Sequence, residues 1–388
     1  MVYLVVLCVL LLFTFKFDVS KQVRGRKFSI YFASFLLIIL SGFRYRIGLD
    51  TMQYMKYYEY IPTFDILTYQ DIIFSPHAPL YFIIEVFAKT ISPDFFVLQI
   101  IHAVFVNLII VNFFKKHTKY VFTAILLYYL TLYVSFNFEV MRASMAIAIF
   151  LGSYDYLRQK KWIMYYIFCV LAIMMHVSAI ILLIIPFLTK LKMTKYGIFY
   201  LFIAIILSII IGENIKFIFE KIAVSKSLIR KSELYLNSQY SGQVLNIFGV
   251  ITTVISNVLL PYLAVVRLKK IKNKRLDYEF LIILCILMSI FSINVQIFVR
   301  YIQFFFPFLL LAFTDLIGLT IYTRYSNKSI NLKVTFIMVL FLVLKLKGQY
   351  FADISGISNY NRYLPYSSIL TKEESILREK MFDSQYLY

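Results

Sequence analysis

Four arginine residues lie where long apolar segments of this chain begin or end. They are Arg44, Arg46, Arg142 and Arg300. A guanidinium group keeps its charge and presents two parallel N–H donors that match the oxygens of a phosphate group. Lysine would be expected if only a general attraction to a charged surface were needed, because its long side chain reaches such a surface easily. We therefore expect these arginines to bind a doubly charged group such as a diphosphate.

Two other residues have side chains that can accept a proton. Asp50 lies in the segment Gly48-Leu49-Asp50-Thr51, and His176 separates two short apolar runs. A carboxylate or an imidazole can remove the proton of an attacking hydroxyl group, so both residues are candidate general bases. A simpler interpretation is that Asp50 caps a helix and that His176 is a hydrogen-bonded residue at a helix junction.

The arginines also have simpler interpretations. Arg44 and Arg46 flank the end of an apolar run, where long basic side chains often serve only as anchors to the membrane surface. Arg142 follows Glu139 by three residues, so these two side chains could form a local salt bridge on one helix face.

The sequence predicts neither a metal site nor a cofactor. It has no Asp-x-Asp motif and no pair of histidines at helical spacing, and its four histidines are scattered. Its three cysteines lie inside apolar runs, which gives no indication of a disulfide framework.

The elements that must position these residues are apolar helices. Of the 388 residues, 61% are hydrophobic and 15% are charged, whereas an average soluble protein has about 25% charged residues. This composition excludes a soluble globular or disordered chain and indicates an integral membrane protein. The net charge of +20 suits anionic lipid or a phosphorylated substrate. The basic residues lie between apolar runs, so we expect no nucleic-acid partner.

Twelve apolar runs have the character of membrane-spanning helices. They lie near 2–15, 28–43, 95–114, 120–136, 139–157, 162–175, 177–189, 196–212, 246–266, 279–295, 298–322 and 334–347. A further run, 79–92, contains Glu85 and Lys89 and ends at Ser92-Pro93, so we interpret it as a re-entrant or interfacial segment. The prediction is an all-α polytopic membrane protein with about twelve transmembrane helices in a single domain, 1–388.

Basic loops predict the orientation of these helices. Segment 16–27 has five basic residues and one acidic residue, which places it in the cytoplasm. If 79–92 does not cross the membrane, the later basic loops are also cytoplasmic and both termini lie outside. The alternative is an ordinary hairpin over 79–114 with a weaker charge bias. The preferred topology has three outer segments: the loop 44–94, an amphipathic loop 213–245 and the C-terminal tail 348–388.

This topology collects the candidate residues on one face of the membrane. Helices that start near 139, 177 and 298 would all have their N-terminal ends at the outer surface. The N-terminus of a helix carries unpaired N–H groups and a partial positive charge, both of which favour an anion.

The order and spacing of these elements resemble the EpsG-like group of Wzy-type bacterial polysaccharide polymerases. The resemblance covers roughly residues 40 to 310. The matching residues are Arg46, Gly48, Asp50, Thr51, Tyr54, Pro79-Leu80-Tyr81, Arg142, His176, Ser178 and Arg300-Tyr301. One departure is Ala143, at a position where the family is expected to have Gln; Ser144 could replace that substrate contact.

The resemblance implies a glycosyltransferase-C-like membrane fold and a metal-independent enzyme of the bacterial plasma (inner) membrane, with its active site facing outside the cytoplasm. The enzyme would polymerise undecaprenyl-diphosphate-linked oligosaccharide repeat units of an O-antigen or capsule, with membrane lipid and a chain-length regulator protein as further partners. Asp50 and His176 would be the catalytic residues. The expected substrate-binding residues are Arg44, Arg46, Arg142, Arg300, Tyr54 and Tyr301.

Three other functions remain open at this point. A flippase or transporter for lipid-linked oligosaccharide would need a polar path through the membrane, whereas the mid-span charges here are few, with Asp315 the clearest. A membrane O-acyltransferase would also use a histidine near the membrane, but its usual paired signals are not evident. A non-catalytic assembly partner is the third alternative.

Overall fold

The computed structural model is predominantly helical. It describes residues 1–193, 197–222, 247–272, 276–295, 297–322, 328–351, 353–354 and 357–386. Across these residues, one two-stranded antiparallel sheet, β1 (Asp353–Ile354) with β2 (Ile357–Ser358), is the only sheet. The predicted all-α class is therefore confirmed, with this short hairpin as a local exception.

The helices follow the apolar runs of the sequence. Up to Leu188 they are α1 (Val2–Phe13), α2 (Arg26–Gly42), α3 (Leu49–Glu59), α4 (Tyr69–Phe74), α5 (Pro79–Ile91), α6 (Phe96–His117), α7 (Val121–Thr131), α8 (Met141–Arg158), α9 (Trp162–Met175) and α10 (Ile185–Leu188). The later ones are α11 (Gly197–Ile222), α12 (Ile247–Thr253), α13 (Leu260–Lys272), α14 (Glu279–Phe291), α15 (Phe298–Thr320), α16 (Lys328–Tyr350) and α17 (Ile376–Tyr386).

Several helices continue into, or are joined by, turns of a different pitch. These are the π-helical turns Thr14–Val19, Ser135–Glu139 and Val254–Leu259, and the 3₁₀ helices Val177–Ile184 and Asn359–Arg362. π-helical turns are common at functional sites, and the one at Ser135–Glu139 leads directly into α8.

Within the described residues, four helices have the length and apolarity needed to cross a membrane. They are Val2–Val19, Phe96–His117, Gly249–Ile271 and Phe298–Thr320. Shorter apolar helices are Val121–Thr131, Trp162–Met175, Val177–Leu188, Phe199–Gly212 and Glu279–Phe291. The chain is thus a helical membrane protein, whereas a count of twelve spans remains a prediction.

The segment predicted to be re-entrant or interfacial is a short helix. α5 has 13 residues, about 20 Å at 1.5 Å per residue, against about 30 Å for the hydrocarbon core of a membrane. Its length agrees with the prediction without testing it. The amphipathic loop predicted over 213–245 begins inside α11 and otherwise lies outside the described residues.

The chain divides into two compact units. The first comprises Met1–Leu183, Thr320–Ser326 and Lys345–Tyr388, and the second comprises Ile184–Leu319 and Asn327–Leu344. In the second unit, α14 packs against α11, α13 and the π-helical turn Val254–Leu259. The first unit contains most of the candidate residues, among them Arg44, Arg46, Asp50 and Arg142.

Helix α6 lies at the centre of the first unit, in contact with α2, α5, α7 and α8. Each of its buried polar side chains makes at least one hydrogen bond: Gln99 Nε2 donates to the carbonyl of Arg44 (3.0 Å), His102 Nε2 lies 2.8 Å from Ser144 Oγ, and Asn107 Nδ2 donates to Asn137 Oδ1 (2.8 Å). A polar group buried in apolar surroundings is costly unless it is hydrogen-bonded. These bonds therefore specify how α6 sits against its neighbours.

The C-terminal tail folds back onto the loop after α2. The amide of Tyr45 donates to Ser367 O (2.9 Å), and the amide of Gly48 donates to Arg362 O (3.1 Å). Arg378 is 1% exposed and donates to three carbonyl oxygens, those of Arg46, Asn361 and Pro365. The tail is thus an integral part of the first unit.

Gly48 allows the closest backbone approach in this region. Its φ is +92°, and a Cβ atom there would overlap the carbonyl group of Phe138, with the carbonyl carbon only 2.8 Å away. A side chain is disfavoured at such a positive φ, and backbone atoms cannot move aside as a flexible side chain can. Glycine is therefore required where the loop turns into α3.

We expect Gly48→Ala to lower the free energy of unfolding by about 1–3 kcal/mol or more, because it adds steric overlap to an unfavourable φ. Thermal unfolding of the purified protein, followed by circular dichroism, measures the change. Gly152→Ala is the matched control, since Gly152 lies within α8 with nothing within 4 Å of its added Cβ. Equal stability of the two variants would contradict the close approach at Gly48.

Candidate active site

The N-terminus of α3 is held by the side chain of Glu139. Oε1 of Glu139 accepts a hydrogen bond from the amide of Leu49 (3.3 Å), and Oε2 accepts one from the amide of Asp50 (2.9 Å). The first amides of a helix have no partner inside the helix, and a carboxylate there also interacts favourably with the helix dipole. Glu139 therefore connects α3 to the π-helical turn that precedes α8.

A second connection between the same elements runs through Thr51 and Arg44. Thr51 Oγ1 donates to Phe138 O (2.6 Å) and accepts from Nη2 of Arg44 (2.9 Å). Arg44 is fully buried, and its guanidinium carbon lies 5.1 Å from the centre of the Phe138 ring. Burial lowers the pKa of Arg44 to about 10. This arginine holds the base of α3, and its proposed contact with substrate stays a prediction.

Glu139 and Arg142 both lie in the described part of the chain and form no ion pair with each other, so the local salt bridge considered from the sequence is not formed. The Glu139 carboxylate instead pairs with Arg362, whose Nη1 lies 4.0 Å from Oε1. The Asp50 backbone is thus held by Glu139, and the Asp50 carboxylate lies close to this second acidic group.

Arg142 is the second residue of α8 and contacts Tyr54 on α3. Its Nε donates to the Tyr54 hydroxyl (3.3 Å), and its guanidinium carbon lies 5.4 Å from the Tyr54 ring centre. Tyr54 is 7% exposed, and burial raises its pKa. Neither terminal nitrogen of Arg142 donates a hydrogen bond to a described residue. The phenol thus orients the guanidinium while both prongs of its fork stay available to a ligand.

A buried histidine–glutamate pair lies beside Tyr54. His77 Nδ1 is 2.6 Å from Glu85 Oε2, and the two side chains are 2% and 0% exposed. The imidazole is surrounded by the rings of Tyr54, Tyr57 and Tyr81, with centroid distances of 6.1, 5.7 and 5.6 Å. The sequence analysis missed this pair. The available signal was an acidic residue, Glu85, within the apolar run that starts two residues after His77.

Arg46 is bound to the C-terminal tail. Its Nε and Nη2 donate to the two carboxylate oxygens of Glu379 at 2.9 and 2.5 Å, and Glu374 lies 3.6 Å away. The φ of Arg46 is +50°. A role for Arg46 in binding diphosphate remains a prediction, because this guanidinium is engaged by Glu379 in the structure.

His176 follows the last residue of α9. Its Nδ1 lies 2.6 Å from Ser178 Oγ and accepts a hydrogen bond from the Ser178 amide (3.2 Å). Helices α8 and α9 pack together and are joined by only three residues, 159–161, so they are antiparallel. His176 therefore lies at the same end of this helix pair as Arg142.

Arg300 and Tyr301 belong to the second unit. They lie in the first turn of α15, where Arg300 is exposed and the Tyr301 ring lies 5.9 Å from the ring of Phe298. Their participation in one site with Arg142 remains a prediction. No group of three or more possible metal ligands from His, Cys, Asp and Glu occurs in the described part of the chain.

We expect Glu379→Gln to loosen the tail, because it removes the charge from a two-point bond to Arg46. Glu374→Gln is the matched control, since this carboxylate is 55% exposed and more distant from Arg46. Limited proteolysis, followed by mass spectrometry of the C-terminal fragments, should show faster cleavage within 372–386 only for the Glu379 variant. Equal cleavage rates in the two variants would show that the pair does not hold the tail.

Comparison with known proteins identifies the family of this chain. No curated protein and no solved structure gives a significant match. The EpsG family model matches residues 27–368, a range that includes the loop after α2, the histidine–glutamate pair, Arg142, His176 and Arg300. The match covers nearly the whole chain and confirms the family predicted from the sequence motifs: the chain belongs to the EpsG family.

Proposed function

We propose that this EpsG-family membrane protein is a polysaccharide polymerase that acts on undecaprenyl-diphosphate-linked oligosaccharides at the outer face of the bacterial plasma membrane. The observation that carries the proposal is the arrangement of Arg142 on Tyr54. The family, which is a Wzy-type polymerase family, supports the general activity. The lipid carrier and the side of the membrane are our own inference.

The surroundings of Arg142 suit a diphosphate. Tyr54 engages only Nε, so the two terminal nitrogens can donate to two oxygens of one phosphate group, which is the geometry that arginine favours. Arg142 also lies in the first turn of α8, where unpaired amides and the helix dipole attract negative charge.

The reaction needs charge stabilisation and removal of a proton. The acceptor hydroxyl oxygen forms a new bond to the anomeric carbon of the donor glycan, while the bond from that carbon to the diphosphate oxygen breaks. The bonding electron pair leaves with the diphosphate, and a base takes the hydroxyl proton. A preorganised cation at the leaving group stabilises the charge that develops in the transition state. In our proposal Arg142 does this work.

The remaining predicted residues have defined places in this proposal. On the sequence resemblance alone, we propose Arg300 as a second arginine for the diphosphate, and Tyr54 and Tyr301 as residues that contact the glycan. Arg44 and Arg46 assist in binding the diphosphate. Arg44 would do so from its buried position at the base of α3. Asp50 and His176 remain candidate bases from the sequence. A chain-length regulator remains a proposed partner.

We expect Arg142→Lys to reduce polymer formation by at least about 100-fold, because lysine cannot offer a two-pronged fork to the leaving group. Arg158→Lys, the same substitution at the other end of α8, should leave polymer length unchanged. Electrophoresis of the surface polysaccharide measures chain length, while single lipid-linked repeats should still reach the cell surface. Normal polymer from the Arg142 variant would overturn the proposal, and loss of the surface repeats would instead indicate a flippase.

The outer location of the site can be tested by cysteine labelling in a Cys8→Ser background, since Cys169 and Cys285 are buried. Tyr60 is 84% exposed just after α3, and Val23 is 81% exposed between α1 and α2. A membrane-impermeant maleimide should label Tyr60→Cys in intact cells and Val23→Cys only after permeabilisation. The reverse pattern would place the site in the cytoplasm and exclude the proposed location.

A further inference from the structure

The histidine–glutamate pair beside Arg142 is unusual for its burial. The side chains of His77 and Glu85 are almost completely enclosed, and their polar atoms are 2.6 Å apart. Removing an imidazole and a carboxylate from water is costly, and the interaction between them does not always repay that cost. Buried titratable pairs of this kind are concentrated at functional sites. The pair therefore calls for an explanation other than stability.

The direction of α5 explains how the two residues meet. Side chains on a helix point back towards its N-terminus, so the long side chain of Glu85 extends towards the residues that precede Pro79. His77 lies just before that helix start, and its amide is bonded to Ser75 Oγ (3.1 Å). The loop before α5 therefore positions the imidazole, and α5 positions the carboxylate that binds it.

The hydrogen bond to Glu85 assigns different roles to the two ring nitrogens. When Glu85 is ionised it can only accept a hydrogen bond, so Nδ1 then carries the hydrogen and Nε2 of the neutral ring carries the lone pair. Nε2 makes no hydrogen bond with a described residue. An imidazole whose Nδ1–H is held by a carboxylate is oriented to accept a proton at Nε2, and the carboxylate stabilises the imidazolium that results.

Tyr54 connects this pair to the proposed diphosphate site. Its ring centre lies 6.1 Å from that of His77 and 5.4 Å from the guanidinium carbon of Arg142, so a single phenol contacts both groups. Tyr57, which is 42% exposed, covers another side of the imidazole at 5.7 Å. In this proposal the Tyr57 side chain moves aside to admit the acceptor hydroxyl to the enclosed imidazole, while Arg142 binds the leaving group.

We propose that His77, oriented by Glu85, is the general base of the transfer reaction. Nε2 removes the proton of the acceptor hydroxyl as that oxygen attacks the anomeric carbon, and the bond from this carbon to the diphosphate breaks. The negative charge moves to the diphosphate at Arg142, and the proton remains on His77 until it is released to water. This inference rests on the proposed polymerase function, and it assigns to His77 the role that the sequence analysis gave to Asp50 or His176.

The test uses the full-length protein in lipid nanodiscs. The substrate is the lipid-linked oligosaccharide extracted from host cells that lack the polymerase. We expect His77→Ala to slow polymerisation by at least about 100-fold, within the usual range for a lost general base, with donor binding unchanged. Added imidazole should raise the rate of the His77→Ala variant at least about tenfold, because it can enter the space left by the ring. His117→Ala is the matched control, because His117 also lies near a carboxylate, 3.7 Å from Asp155, in the same unit; its rate should not change.

His77→Gln preserves most of the side-chain volume and guards against a folding defect in the alanine variant. We expect it to fold, to bind donor and to be inactive. Activity in His77→Gln, or loss of donor binding without rescue by imidazole in His77→Ala, would overturn the assignment of His77 as the base. If Arg142→Lys is inactive while both His77 variants are active, only this inference fails. If the Arg142 and His77 variants are all active, the placement of the site at these residues fails. If the unaltered protein forms no polymer from this substrate, the polymerase proposal itself fails.

Discussion

The site depends on one interaction, the bond between the Glu139 carboxylate and the first amides of α3. It joins a helix of the loop after α2 to the turn that precedes α8. Because Tyr54 lies on α3 and Arg142 on α8, this connection determines that the phenol and the guanidinium meet. Gly48, the residue before α3, makes the same junction possible, since a larger residue would overlap the Phe138 carbonyl. The acidic side chain nearest in sequence to Arg142 therefore acts on the backbone of another helix.

The arginines of the site are held in different ways, and this difference separates their roles. Arg44 is buried and gives hydrogen bonds to neighbouring groups, so it stabilises the junction below α3. Arg46 donates from Nε and Nη2 to the two carboxylate oxygens of Glu379. Arg142 donates to Tyr54 from Nε alone. A guanidinium that is oriented by one donor and keeps its fork open is preorganised for an anion, because little ordering remains to be done when the anion arrives.

Much of this arrangement follows from the sequence, and the remainder depends on contacts between distant segments. The apolar runs predicted the helices, and the ordered motifs predicted the family. Arg142 and Tyr54 were each chosen as candidates, but their mutual contact joins residues that lie 88 positions apart. The bond from Arg46 to Glu379 spans 333 positions, and no local pattern could indicate it. A single histidine in a loop has no periodicity, so the sequence does not single out His77; only the folded chain shows that it pairs with Glu85.

The central claim is that Arg142 binds the diphosphate of a lipid carrier. Equilibrium binding of undecaprenyl diphosphate to the purified protein in nanodiscs tests it directly, with Arg142→Gln compared with the unaltered chain. The account predicts that this variant remains folded and binds at least about tenfold more weakly, as expected for the loss of charge-assisted hydrogen bonds. Equal affinity of the two proteins for undecaprenyl diphosphate would contradict it.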